Sequence, residues 1–148
     1  MVLPSSTFYT FGMLKSDAVE RGLISEIIEM IEDAGFHIVH QCLYRLAPEQ
    51  IETLYAEHVG KPYWGDLQAS VSRGVVPMIL EHSEANAWET FRKLMGHRDV
   101  TVANKDTVRG KFGISGEGIS PAANLVHGSD SEAAAIREVS WAFEAFDC

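Results

Sequence analysis

The sequence predicts an α+β domain in which an antiparallel sheet carries helices on one face. Three observations point there. The chain has 148 residues and a mass of 16.4 kDa, enough for one core and no second. Apolar segments alternate between strand-like runs and helical stripes, in the order strand, helix, strand, helix pair, strand, helix, loop, strand, helix. Such an order is solved by helices packed on an antiparallel sheet. Hydrophobic residues make up 46% and charged residues 22%, which excludes a disordered or fibrous architecture.

Each element has its own local reason. Thr7 to Leu14 is rich in aromatic and apolar residues and reads as a strand. Asp17 and Glu20 have capping-box spacing before a helix whose stripe is Leu23, Ile24, Ile27, Ile28 and Ile31, closed by Gly35. Phe36 to Leu46 reads as the second strand. Pro48 suits a first helical turn, followed by Ile51, Leu54, Tyr55 and His58 at helical spacing. A short helix is expected from Tyr63 to Val71. Val75 to His82 is the third strand, and Pro77 inside it suggests an edge or a bulge. Ala85 to Met95 is a helix with Trp88, Phe91 and Met95 inward. From His97 to Ala123 no period holds, apart from a turn of helix near Thr107 to Phe112, and long irregular stretches in compact domains commonly carry function. Asn124 to His127 reads as the last strand. Ser129 and Glu132 have capping-box spacing before a helix with Ile136, Val139 and Phe143 inward.

Charge is segregated. The chain carries 12 Lys and Arg against 21 Asp and Glu, a net −9. Residues 92–111 nevertheless hold six cations against two acids, a local +4 in an acidic protein. That balance argues against a generic nucleic-acid binder and leaves either a solvated basic loop or the lining of a small anion site. Cys42 and Cys148 have no metal or redox spacing, no basic-then-apolar leader is apparent, and the longest apolar run, Val75 to Leu80, is far too short for a membrane span. A cytoplasmic protein is expected.

Most of the six histidines read as ordinary side chains. His127 stands apart. It follows a short apolar segment and precedes Gly128-Ser129-Asp130-Ser131, a helix entrance where backbone N–H groups and the helix dipole favour an incoming phosphate. Gly128 would let the backbone approach closely, and Glu138 lies seven residues after Ser131, placed to orient the imidazole.

The stretch Asn124-Leu125-Val126-His127-Gly128-Ser129-Asp130-Ser131 resembles the active-site signature of nucleoside diphosphate kinases. So do, in collinear order, Leu14-Lys15-Ser16-Asp17-Ala18-Val19, Arg21-Gly22-Leu23-Ile24, Glu26-Ile27-Ile28, Tyr55, Lys61-Pro62-Tyr63 and Thr107-Val108-Arg109-Gly110-Lys111-Phe112. The resemblance runs from Thr7 to Phe143. It implies a ferredoxin-like βαββαβ domain with a four-stranded antiparallel sheet. It implies transfer of the γ-phosphate of ATP, GTP or another NTP to an NDP or dNDP, in two half-reactions through a phosphohistidine.

By motif match His127 is the nucleophile, Glu138 and Ser129 hold its ring, and Lys15, Tyr55, Arg92 and Arg109 contact phosphates. Asn124 with Lys15 contacts the ribose, Tyr63 stacks on the base, and Leu67 lies beside it. Mg²⁺ is expected to arrive with the nucleotide, held by its phosphates. The residue types suit this chemistry, because phosphoryl transfer asks for positioning and positive charge more than for covalent work by the protein.

The chain departs from the family pattern in several places. Lys15-Ser16-Asp17 replaces Lys-Pro-Asp, which would loosen the turn beside the lysine. Arg98 stands where the family places a phosphate-touching Thr, and Ala123 where it has Arg. About five extra residues lie between Arg109 and His127, around Ser115 to Pro121. The loop from Asp99 to Asp106 lacks the usual prolines. A dimer-based homo-oligomer is therefore expected in place of a hexamer. Two rival readings share the fold: a non-catalytic relative that binds nucleotide, and a regulatory module that binds a small effector. The first is expected to lack His127, and the second does not explain the cation cluster beside His127 and Asn124.

Overall fold

The computed structural model describes residues 8–147. The start of the expected first strand at Thr7 and the residue Cys148 lie outside them. The strands are β1 (Tyr9–Leu14), β2 (Phe36–Gln41), β3 (Tyr44–Arg45), β4 (Gly74–His82) and β5 (Val126–Gly128). The helices are α1 (Ser16–Glu20), α2 (Ile24–Asp33), α3 (Pro48–Leu54), α4 (Trp64–Ser70), α5 (Ala87–Met95), α6 (Val108–Phe112) and α7 (Glu132–Ala145), with a 3-10 turn at Ala56–His58.

The sheet runs β2-β4-β1-β5, all neighbours antiparallel, and β3 extends the β2 flank of β4. This is the βαββαβ arrangement the resemblance implied. Helices cover both faces, however, where the pattern of elements suggested one. On one side Leu14, Val76, Met78 and Leu80 pack with Ile27, Ile31, Phe91 and Met95 of α2 and α5. On the other Phe11, Met13, Val75 and Ile79 pack with Ile51, Leu54 and Val139 of α3 and α7. The alternation of β4 residues between the two cores explains its unbroken apolar run, the mark of a strand buried on both faces.

Pro77 sits in a central strand and at neither an edge nor a bulge. Pairing on its β2 flank jumps from Met78↔Gln41 to Val75↔Tyr44, so residues 76–77 fall in the gap between β2 and β3. There a missing N–H removes no ladder bond on that side. The single first helix is in fact two. The chain breaks at Gly22, which takes φ +72°, and Asp17 makes no capping bond. The segment 36–46 divides into β2 and β3. The last helix is capped by Ser131, whose side chain accepts from the Ala134 N–H at 3.0 Å, and Ser129 is free for another task.

The expected inward faces shift in two helices. In α5 Ala87, Phe91 and Met95 are buried and Trp88 only half-buried. In α7 Val139 is buried, but Ile136 and Phe143 are 50% and 40% exposed. The inner face is Ala135, Glu138, Val139 and Ala142. Apolar residues surround α7 on most sides, so no stripe selects the face. The face that packs carries mostly small side chains together with Glu138, and it leaves Ile136 outside.

Candidate active site

β5 is three residues long and delivers His127 from the sheet edge towards α7. Gly128 is needed there for packing. A Cβ at that position would lie 2.7 Å from Met95 Cε and 2.8 Å from Phe91 Cδ2, so its absence lets α5 approach the sheet. His127 Nε2 lies 2.7 Å from Glu138 Oε1, and Ser129 Oγ donates to the same oxygen at 3.1 Å. Glu138 and Ser129 are both buried. A carboxylate on Nε2 fixes that nitrogen as the N–H and leaves the lone pair on Nδ1. Phe11 and Tyr55 wall the ring, at centroid distances of 5.7 and 5.2 Å. Tyr55 has a fully buried hydroxyl with no partner among the described residues, and burial, reinforced by Glu138, raises its pKa.

Lys15, Tyr55, Tyr63, Leu67, Arg92, Arg98, Arg109, Asn124 and His127 all line one cleft of about 380 Å³. His127, Arg92 and Glu138 also border a second hollow of about 340 Å³, which Arg137 and Asp130 line as well. Ser129 lines neither and is bonded to Glu138. The eleven residues singled out from sequence therefore come together, although they derive from eight separate segments.

Two of the cations are buried. Lys15 is 4% exposed, and its ammonium donates to the Ala122 carbonyl at 2.6 Å and to Asn124 Oδ1 at 3.1 Å. Burial, and secondarily the nearby Arg109, lowers its pKa to about 8. Arg109 is 7% exposed, and its guanidinium grips three carbonyls: Asn124 at 3.0 Å, Gly96 at 3.1 Å and Val126 at 2.6 Å. Burial, then Arg92, lowers its pKa to about 10. Two desolvated cations of like sign in one cleft are electrostatically costly, and an anion between them removes that cost. Arg92 and Arg98 are exposed at the rim.

The serine of Lys15-Ser16-Asp17 does not leave the turn loose. It is fully buried, and its Oγ accepts the Arg73 N–H at 3.2 Å, tying α1 to the start of β4. Asn124 also donates from Nδ2 to the Arg98 carbonyl at 3.1 Å, so the rim loop is anchored to the cleft floor.

Sequence reasoning passed over His58, which lines both hollows and meets the Tyr63 hydroxyl through Nδ1 at 2.6 Å. Its position three residues after Tyr55 was the available signal, read there as part of an apolar stripe. Arg137 was also missed. It lies 3.8 Å from Glu138 Oε2 and 3.7 Å from Glu57 Oε1, beside the carboxylate that holds His127.

The family model for nucleoside diphosphate kinase matches residues 9–148. A nucleoside diphosphate kinase of Ignicoccus hospitalis is 42% identical over 88% of this chain and 84% of its own length. That of Carboxydothermus hydrogenoformans is 40% identical over 91% and 87%. Among solved structures, a halophilic nucleoside diphosphate kinase from Halobacterium salinarum in complex with CDP superposes with a TM-score of 0.81 at 34% identity, covering 95% of this chain and 88% of that one. The apo enzyme from Encephalitozoon cuniculi gives 0.80 at 29% identity, covering 95% and 90%.

Proposed function

Since the chain belongs to the nucleoside diphosphate kinase family, we propose that His127 Nδ1 is the nucleophile with which it performs the family's reaction. The enzyme transfers the γ-phosphate of a nucleoside triphosphate to a nucleoside diphosphate, in this reading through a phosphohistidine on His127. The observation that carries the assignment to His127 is the bond from its Nε2 to buried Glu138, which leaves Nδ1 open beside a cleft lined by cations.

In the first half-reaction the Nδ1 lone pair attacks the γ-phosphorus in line with the bridging oxygen. The N–P bond forms as the P–O bond breaks, and the diphosphate departs with the electron pair. Positive charge grows on the imidazole, and Glu138 opposes it through Nε2–H. Ser129 keeps that carboxylate in place. Lys15, Arg92, Arg109 and the Tyr55 hydroxyl hold phosphate oxygens, where an ammonium serves as a point charge and guanidinium groups as planar forks. The second half-reaction is the reverse, with a different diphosphate as acceptor. Asn124 with Lys15 meets the ribose. The Tyr63 ring, 47% exposed at the cleft mouth with Leu67 beside it, offers a stacking face that every base can use, which supports broad nucleotide use.

Mg²⁺ belongs to the substrate in this reading, carried on the triphosphate. Among the described residues no group of three or more His, Cys, Asp or Glu could hold a metal, and Glu138 is engaged with His127 and Ser129. No described helix is long and apolar enough to cross a membrane. A dimer-based homo-oligomer, formed by an acidic enzyme in the cytoplasm, completes the proposal. Among the described residues the outer edge of β2 pairs with no other strand, which supports the first part by leaving backbone groups available for pairing.

Incubation with γ-labelled ATP tests it. Label is expected on the protein, labile to acid and discharged by added NDP. A protein that stays unlabelled while binding nucleotide is instead the non-catalytic relative. Arg98→Thr is expected to raise the KM for NDP by about fivefold or less, since an exposed cation contributes little, with turnover still measurable. Complete inactivity of that variant would give Arg98 an essential role.

A further inference from the structure

Leu125 is the one non-glycine residue with positive φ among the described residues, at +77°, and its side chain is fully buried. A leucine in the left-handed region is strained by about 1–2 kcal/mol, so its surroundings must hold it there. They do so on every side. Its N–H donates to Asp17 Oδ2 at 3.2 Å, and its carbonyl accepts from the Lys15 N–H at 2.9 Å. The carbonyls on either side of it, of Asn124 and Val126, are both held by Arg109. This turn sets where the side chains of Asn124 and His127, on either side of it, are directed. Asn124 points to Lys15 on one side of it, and two residues later His127 enters the cleft.

Asp17 has a second peculiarity. Its Oδ1 is buried and has no partner among the described residues. Burial raises the Asp17 pKa, and Lys15 is the first group that opposes this, followed by backbone N–H groups that include Leu125. The charged groups facing it are Lys15 on its own segment, Arg109 from α6 and Arg73 at the entrance to β4, which is paired with Glu20 at 2.6 Å. Arg73 thus has its own partner, and among the described residues Lys15 and Arg109 have only neutral hydrogen-bond acceptors. Arg92 faces Arg109 from α5 and adds to the positive side, and Tyr55 lies near it as a neutral phenol.

We propose that Asp17 is a positioning residue for the nucleotide: one oxygen clasps Leu125 in its left-handed turn, and the carboxylate, two residues from Lys15, is the counter-charge to that buried ammonium in the free enzyme. The inference rests on the reading of Lys15 and Asn124 as nucleotide contacts. Burial and Arg109 pull the Lys15 pKa down to about 8, and Asp17 is the group that opposes them. Deleting its charge therefore moves Lys15 further down. Once bound phosphate supplies negative charge, the loss is largely replaced. The effect belongs to the free enzyme, hence to kcat/KM more than to kcat.

Two variants separate the roles. Asp17→Asn keeps an acceptor for the Leu125 N–H and removes the charge, and Asp17→Ala removes both. The measurements are melting temperature, labelling of His127 by γ-labelled ATP, and KM, kcat and kcat/KM from pH 6 to 10. Asp17→Asn is expected to melt near the wild type and to label. Its KM for ADP rises about five- to tenfold, kcat falls by less, and the alkaline limb of kcat/KM moves to lower pH by about half a unit or more. Asp17→Ala is expected to lose kcat as well, because Leu125 relaxes. Asp17→Ser gives the same contrast if the alanine variant does not fold. An alkaline limb and KM for Asp17→Asn equal to wild type would overturn the charge role, and equal kcat in the two variants would overturn the clasp. A wild type that does not label would instead remove the proposed function on which both depend.

Discussion

Replacement of His127 by alanine is expected to leave a folded protein with no phosphoryl transfer. Removing the nucleophile of a covalent mechanism costs roughly 10⁴- to 10⁶-fold in kcat, because the neighbouring groups can position the substrate but have no atom to accept the phosphoryl group. The variant keeps Lys15, Arg109 and Asn124, so nucleotide should still bind, with a dissociation constant close to the wild type by calorimetry. Glu138 keeps its Ser129 bond, and Arg137 lies 3.8 Å from its other oxygen, so the carboxylate is not stranded. Incubation with γ-labelled ATP should give no acid-labile label. Label that persisted on the alanine variant would place the nucleophile elsewhere. Persistent steady-state transfer without label would replace the two-step reaction with direct transfer between bound nucleotides.

Arg109→Ala should be the most damaging substitution for stability among the cleft residues. Three carbonyls, of Gly96, Asn124 and Val126, lose a charged donor in a site that is 7% exposed. Hydrogen bonds to a charged group contribute about 1.5–3 kcal/mol each, and water can enter to replace some of them. A loss of about 3 kcal/mol or more is expected, or a fall in melting temperature of about 10 °C for a chain of this size. Arg109→Lys should recover only part of it, since one ammonium cannot span the three acceptors that a fork reaches. Activity is expected to fall with stability in the alanine variant, by about 10²-fold or more, because Asn124 and the Leu125 turn lose their anchor. A variant that melted with the wild type and lost only activity would show Arg109 to be a phosphate ligand with no structural part. Bound nucleotide should restore part of the melting temperature if the guanidinium serves both.

The difference between these two variants marks what the sequence made legible. His127 could be read because its neighbourhood is local: an apolar strand end, Gly128, a serine-rich helix start, and Glu138 at helical distance. The same holds for Arg92 and Arg109 as members of a cation-rich stretch in an acidic chain. The three carbonyls that Arg109 holds could not be read, because two of them lie 15 and 17 residues further along the chain. Nothing in side-chain type records where a backbone carbonyl will point. His58 was invisible for a related reason. At helical spacing a histidine beside Leu54 and Tyr55 looks like a stripe residue, and only the turn at Ala56–His58 carries it to the Tyr63 hydroxyl.

The orientation of α7 belongs in the same class. Its apolar residues nearly encircle it, and the period alone turned Ile136 and Phe143 inward. The face that packs is instead the small one, Ala134, Ala135, Val139 and Ala142, which lets the helix lie close to the sheet, and Glu138 on that face is buried with two partners, His127 and Ser129. Likewise the helices on both faces of the sheet follow from tertiary packing. Two-sided burial was latent in the unbroken run Val75 to Leu80, but a short apolar run by itself does not say what covers it.

The sequence by itself determined the order of elements, the family, and the set of charged and ring-bearing side chains around one histidine, because these rest on periodicity and on motifs within a few residues. The tertiary structure alone decided which nitrogen of His127 is left open, that Lys15 and Arg109 are cations stripped of water, and that Leu125 is held in a left-handed turn by Asp17. Each of those depends on groups far apart in the chain meeting where solvent is excluded. Burial there turns an ordinary hydrogen bond or charge into a constraint on the reaction.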